Sequence, residues 1–141
     1  MKHRLPPLPA EPEYIAQSPT MAVSPLPGIM FAAEILIPNP NSTFSVPYLY
    51  VSNRNDPSPE GDSISIFAVD ETRTLRCVNE VRTGLKHLRG MEFGGEDDKW
   101  LIAGGLHGGG VKVFQRVADG TGLTVVAEYN DMEAPAGFLW L

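Results

Sequence analysis

The sequence predicts an all-β fold built from two four-stranded antiparallel units. Three observations predict it. Short apolar runs with a period of two recur along the chain, breaks rich in Gly, Pro, Asn and Asp separate them, and the group of four runs occurs twice. Thirteen prolines and fourteen glycines in 141 residues also favour many short segments over a few long helices.

The first group of predicted strands begins at Phe31 and spans about residues 31–84. In its third run the apolar residues Ile64, Ile66 and Ala68 share one face, as expected for a strand that is buried on that side. A turn rich in Pro and Asn ends the first run, and a longer insertion separates the second from the third. The four runs are FAAEILI, YLYVS, DSISIFAV and LRCVNEVR.

The second group spans about residues 85–132 and repeats the same order of runs. Its members are HLRGMEF, WLIAGG, GVKVFQRV and LTVVAEY. A further apolar run, APAGFLWL, predicts an extra closing strand over residues 135–141. Before the first group, residues 1–30 form a proline-rich stretch, which predicts an irregular, disordered linker because proline disfavours regular structure in the residue that precedes it.

The two groups are copies of one unit. The pair Ile66-Phe67 corresponds to Val113-Phe114, and Tyr48 corresponds to Trp100 once the insertion DPSPE in the first copy is allowed for. Four short strands in a period of about 40 to 50 residues are typical of a β-propeller blade. Two blades do not close a ring, so the pattern predicts a partial ring, which either partners complete or a longer protein contains.

The charge balance limits the classes of partner. A net charge of −6 and a pI near 4.9 argue against non-specific binding to nucleic acid and against attraction to anionic membranes. No apolar stretch approaches the roughly 20 residues of a membrane span. Cys77 is the single cysteine, which excludes an internal disulfide and a thiolate metal cluster, and fits a reducing, cytoplasmic setting. An anionic substrate requires cations gathered in one cleft.

Five segments carry a resemblance to a known family. AAEILI, YLYVSNR, DSISIF, LRGMEF and GGGVKVF, in this order and spacing, resemble the carboxy-terminal blades of the lactonase family of seven-bladed β-propellers, over about residues 32–141. That family includes the 6-phosphogluconolactonase type and the fungal 3-carboxy-cis,cis-muconate lactonizing enzymes, and the long SNRNDPSPEGDSI loop looks like its fungal branch. The resemblance implies a hydrolase or isomerase of carbohydrate or muconate metabolism that acts on a small acidic lactone without metal or cofactor.

The resemblance also implies site residues. It places Glu34 and Arg89 on innermost strands and Arg54 where a second strand reaches the mouth of the ring. Guanidinium groups can clamp carboxylate or phosphate oxygens and the oxygen that gains charge when a lactone opens. Glu34 or His87 would then activate water or move a proton.

Other interpretations of these residues remain open. Arg54 and Arg89 can instead pair with Glu34 or Asp56 and organise loops, and His87 can lie in solvent at the start of its strand. The run GGLHGGG around His107 predicts a hairpin and not a phosphate loop, since no Lys-Ser/Thr pair and helix follow it. The two useful histidines and the scattered acids lack the spacing of metal ligands.

Three functions fit the sequence. The chain is a lactonase fragment, a non-catalytic interaction module, or an inactive truncated product, because a full family member needs about seven blades. Two open blade faces and an exposed Phe138–Leu141 run would favour self-association.

Overall fold

The computed structural model describes residues 14–21 and 29–141, which form two four-stranded antiparallel sheets. Each strand pairs with the next in chain order. The first sheet contains β1 (Phe31–Leu36), β2 (Leu49–Arg54), β3 (Ser63–Val69) and β4 (Leu75–Arg82). The second contains β5 (Lys86–Gly94), β6 (Trp100–Gly108), β7 (Val111–Val117) and β8 (Gly122–Tyr129). The predicted all-β fold with two four-stranded blades is confirmed.

The core lies between the two sheets. Alternation along β2 and β3 points Tyr50, Ile64 and Ile66 toward the second sheet, which contributes Leu88, Leu101 and Phe114. All six side chains are fully buried, and burying each large apolar side chain contributes about 1.5–3 kcal/mol. The inner strand β5 packs on β1 and β2, whereas the outer strands β4 and β8 have fewer contacts with each other. The two sheets therefore diverge from their inner edges, as neighbouring blades do.

The other face of the first sheet is partly covered by residues from the predicted linker. Residues 14–21 have no regular secondary structure, as predicted, but Thr20 is anchored. Its carbonyl oxygen accepts hydrogen bonds from Asn53 Nδ2, at 3.1 Å, and from Ser65 Oγ. The prediction of disorder for residues 1–13 and 22–28 lies outside the described residues.

Residues 135–141 do not form the predicted closing strand. They cross the outer face of the second sheet instead of pairing with a strand edge, and Trp140 Nε1 donates to the carbonyl oxygen of Glu92 at 3.3 Å. Leu139 is 82% exposed, as expected, whereas Phe138 is half-buried. The expectation of a fully exposed apolar run was therefore wrong for Phe138, because the sheet offers it a surface to pack on.

Candidate functional site

One end of the two sheets gathers the loops that connect β2 to β3, β4 to β5 and β6 to β7. Antiparallel pairing brings these three connections to the same end, which we call the loop end. A cavity of about 450 Å³ opens there. Its polar lining includes Asn55, Asp56, Asp62, Lys86, His87 and His107.

Arg54 ends β2 at the margin of the loop end. Its guanidinium carbon lies 5.8 Å from the ring centre of Phe31, the residue paired with it across β1. Its Nε atom is buried and has no hydrogen-bond partner. Asp56 pairs with Arg82 instead, so the predicted alternative of an Arg54–Asp56 ion pair does not occur. The Nε donor of Arg54 is therefore unpaired among the described residues, although the protein encloses it.

His87 lies at the centre of this end. Its Nδ1 atom is 2.6 Å from Asn55 Oδ1, and its ring centre is 4.4 Å from that of His107. The Asn55 oxygen only accepts, so Nδ1 carries the proton and Nε2 keeps its lone pair. Desolvation lowers the pKa of His87, and the nearby positive charges of His107, Arg54 and Arg89 lower it further, against the carboxylate of Asp62. The imidazole is therefore neutral at pH 7, with Nε2 available as a base.

Asp62 is a residue that the sequence analysis missed. It is only 1% exposed. Its carboxylate accepts hydrogen bonds from the backbone N–H of Asp56, at 2.8 Å, and of Leu88, at 2.7 Å. Leu88 stands between His87 and Arg89, where the β5–β6 register shifts on both sides. A carboxylate from the first sheet thus holds the backbone that presents two predicted site residues, and neither strand period nor residue type signals this contact.

Arg89 and Glu34 lie in different surroundings. Arg89 is exposed on β5, and its charge acts on His87. It forms no ion pair among the described residues. Glu34 is half-buried, and its backbone N–H donates to Ser52 Oγ at 2.9 Å. Glu34 lines a separate cavity of about 360 Å³ on the outer face of the first sheet. Arg54 and Arg89 lie near enough to His87 for their charges to lower its pKa, whereas Glu34 lines a different cavity. The catalytic roles of all four stay predictions.

The opposite end of the sheets contains a second residue that the sequence analysis missed. Arg116 is 2% exposed. Its Nε donates to Tyr50 Oη at 3.1 Å, and its Nη1 donates to the carbonyl oxygen of Asp98 at 3.2 Å. The guanidinium carbon lies 3.9 Å from the ring centre of Phe44. These contacts enclose the cation and make Arg116 a structural residue.

Within residues 14–21 and 29–141, no three His, Cys, Asp or Glu side chains are grouped as a metal site would require. In the same part of the chain, no helix has the length and apolar character needed to cross a membrane.

Comparisons with known proteins give one family. The family model described as "Lactonase, 7-bladed beta-propeller" matches residues 14–140. Solved structures also match, and two of them are each a candidate 6-phosphogluconolactonase. The one from Bacteroides fragilis has a TM-score of 0.58 and 24% identity over 75% of this chain and 27% of its own, which shows the fold. The one from Bacteroides uniformis has a TM-score of 0.56 and 28% identity over 74% of this chain and 27% of its own.

This chain therefore spans about a quarter of the length of either structure. No curated protein matches it. The family match covers most of the chain and agrees with the two sheets, their diverging arrangement and their order. The chain belongs to the lactonase family of seven-bladed β-propellers.

Proposed function

We propose that residues 31–141 supply two neighbouring blades of a lactonase ring and that the loop end of these blades binds a small acidic lactone. The observation that carries the proposal is the group of cations around His87. Arg54 and Arg89 act on this imidazole in a chain whose net charge is −6. The positive charges of these two arginines suit a substrate that carries carboxylate or phosphate.

The side chains at the loop end fit the opening of a lactone by water. Attack on the lactone carbonyl builds negative charge on its oxygen, which guanidinium donors stabilise. Arg54 is half-buried, and Arg89 is exposed and forms no ion pair in the described part of the chain. His87 Nε2 would accept the proton from the attacking water. This chemistry needs no metal ion.

Glu34 is the less supported candidate for proton transfer. Its cavity lies on the outer face of the first sheet, whereas His87 lines the cavity at the loop end. The role of Glu34 rests on the family resemblance. In a complete ring another blade would cover the outer face of the first sheet. Glu34 could then reach the substrate only from its position in β1.

The substrate that we propose first is 6-phosphogluconolactone, hydrolysed in the cytoplasm. The two similar structures are candidate 6-phosphogluconolactonases, and a phosphorylated sugar acid offers the anionic groups that the arginines suit. A carboxylated muconate lactone, interconverted by cycloisomerisation, shares the lactone and the acid and is the competing ligand to test.

Binding tests the site without requiring a complete ring. We expect 6-phosphogluconate, the hydrolysis product, to shift the imidazole resonances of His87 in NMR spectra of the whole chain. Arg54→Ala and Arg89→Ala should each weaken binding about tenfold or more, which is the loss of one charge-assisted contact of about 1.4 kcal/mol or more. Arg73→Ala, at an exposed turn away from the loop end, is the matched control and should leave affinity unchanged.

Three outcomes would contradict parts of this proposal. His87 shifts with unchanged affinity in both arginine variants would show that the two arginines do not bind the ligand. Stronger binding of the muconate lactone would replace the substrate. Binding of neither compound would favour a non-catalytic interaction module or an inactive product. We expect no efficient lactone hydrolysis by this chain alone, because two blades supply only part of the site, and rapid turnover would show that part to be sufficient.

A further inference from the structure

The outer face of the second sheet carries three glycines whose backbone does not require glycine. Gly90 and Gly94 lie in β5, Gly104 lies in β6, and none of the three has a positive φ. A glycine inside a strand weakens the strand, because it is flexible in the unfolded chain and has no side chain to pack. Such a residue often marks a place where another segment comes close. We call the surface formed by these three glycines the glycine groove.

Residues 135–140 fill the glycine groove. A Cβ atom on Gly104 would lie 2.7 Å from Phe138 Cζ and 2.7 Å from Pro135 Cγ, both too short for real contacts. Pro135 is buried and Phe138 is half-buried at this point. The absence of a side chain at Gly104 is therefore matched to the side chains that lie on it.

The other two glycines contact other residues of the same segment. A Cβ atom on Gly94 would overlap the indole ring of Trp140, which also donates through Nε1 to Glu92 O. A Cβ atom on Gly90 would lie 2.7 Å from the carbonyl oxygen of Ala136. Three contacts along one segment show that the groove fits a Pro-x-x-Phe-x-Trp sequence along its length.

Side-chain contacts hold this segment, with no backbone ladder. Residues 135–141 form no strand, and the bond from Trp140 to the sheet is long at 3.3 Å. The connection that leads into the segment, residues 130–134, is exposed. It includes Ala134 at φ 49°, a left-handed conformation that is unfavourable for alanine. A segment held in this way can leave the groove while both sheets stay folded.

We propose that the glycine groove is a self-recognition site, which binds residues 135–140 of a second copy of this chain when those of its own chain leave. Each copy carries both the groove and the segment that fits it, so a mutual exchange restores every contact. Opening the connection also relieves the strain at Ala134. Exchange of an identical element is a low-cost route to a symmetric dimer. This inference does not depend on the proposed lactone site, and it concerns the chain outside a complete ring, where no further blade covers the groove.

A complementation experiment on full-length chains tests the proposal. One variant carries Phe138→Ala and Trp140→Ala, which leaves the groove free of its own segment. The other carries Gly94→Ala and Gly104→Ala, which blocks the groove and keeps the segment. At both positions the strand backbone accepts alanine, and the three atoms nearest to the added methyl group belong to the segment. We expect the mixture to form a one-to-one heterodimer in native mass spectrometry, at least tenfold more abundant than dimers of either variant alone.

The matched control replaces the two groove changes by Gly137→Ala, at a position in the same segment where a Cβ atom would meet nothing within 4 Å. This variant should keep its own segment in place and give no more heterodimer than the unaltered chain. A mixture that stays monomeric, with both variants folded by circular dichroism, would overturn the proposal. If either variant fails to fold, the unaltered chain decides. Its dimers should dissociate when a peptide of residues 134–141 is added in excess, and dimers that resist the peptide, or no dimers at high concentration, would also overturn it.

Discussion

The two ends of the sheets hold arginines in opposite circumstances. Arg54, at the loop end, is half-buried, lies 5.8 Å from the Phe31 ring centre and has an unpaired Nε. Arg116, at the other end, is fully enclosed, lies 3.9 Å from the Phe44 ring centre and donates hydrogen bonds to the protein. The difference shows that a position near a strand end does not decide how far a guanidinium group is enclosed and hydrogen-bonded. That Arg54 binds a ligand stays a prediction.

Replacing Arg116 should have the greatest effect on stability. Arg116→Ala would leave an unfilled space beside Phe44 and Tyr50 and remove the donor to the Tyr50 hydroxyl, which should cost about 3 kcal/mol or more. Arg54→Ala should cost less than about 1 kcal/mol, because that side chain is only half-buried. Urea unfolding of both variants measures the contrast, and equal losses would show that the two ends do not differ as described.

Replacing Asp62 should come second and should affect the loop end alone. Asp62→Ala leaves the N–H groups of Asp56 and Leu88 without their acceptor, which should destabilise the chain by about 2–3 kcal/mol. It should also shift the imidazole resonances of His87, because Leu88 is the next residue. Asp70→Ala, at an exposed turn, should cost less than Asp62→Ala and leave His87 unchanged. An Asp62 variant with unchanged His87 resonances would show that this carboxylate does not position the site.

The smallest expected effect is on titration at the loop end. Arg54→Gln and Arg89→Gln should each raise the pKa of His87 toward its ordinary value, since each removes a positive charge that opposes protonation. Because the folded pKa is lowered, the unfolded chain binds the proton more readily. The contribution of His87 to stability is thus present above about pH 6.5 and is lost as the pH falls through the lower folded pKa.

NMR titration of the imidazole checks the pKa, and urea unfolding between pH 7.5 and 5 checks the linkage. His87→Gln is the control and should lose this part of the pH dependence. A His87 pKa that does not change in either arginine variant would mean that neither guanidinium acts on the imidazole. The charge of Arg54 would then have no effect on its surroundings that distinguishes the loop end.

Local chemistry explains why the strands were predictable. Alternation places Tyr50, Ile64 and Ile66 on one face, and turn residues mark where each strand stops, so all eight strands appear close to their predicted bounds. The candidates Arg54, Arg89 and His87 were chosen from strand order and family resemblance, and their roles stay predictions. Asp62 and Arg116 were not found, because their partners lie far away in the chain.

The sequence by itself determined the eight strands, their division into two blades and the family, because period, turn chemistry and short motifs are local properties. The tertiary structure alone decided which charged groups are enclosed and which remain free, and where residues 135–141 lie. Those outcomes depend on contacts between segments that are distant in the chain, such as Asp62 with Leu88 and Gly104 with Phe138. Burial and hydrogen bonding arise only when such segments meet, so no local pattern encodes them.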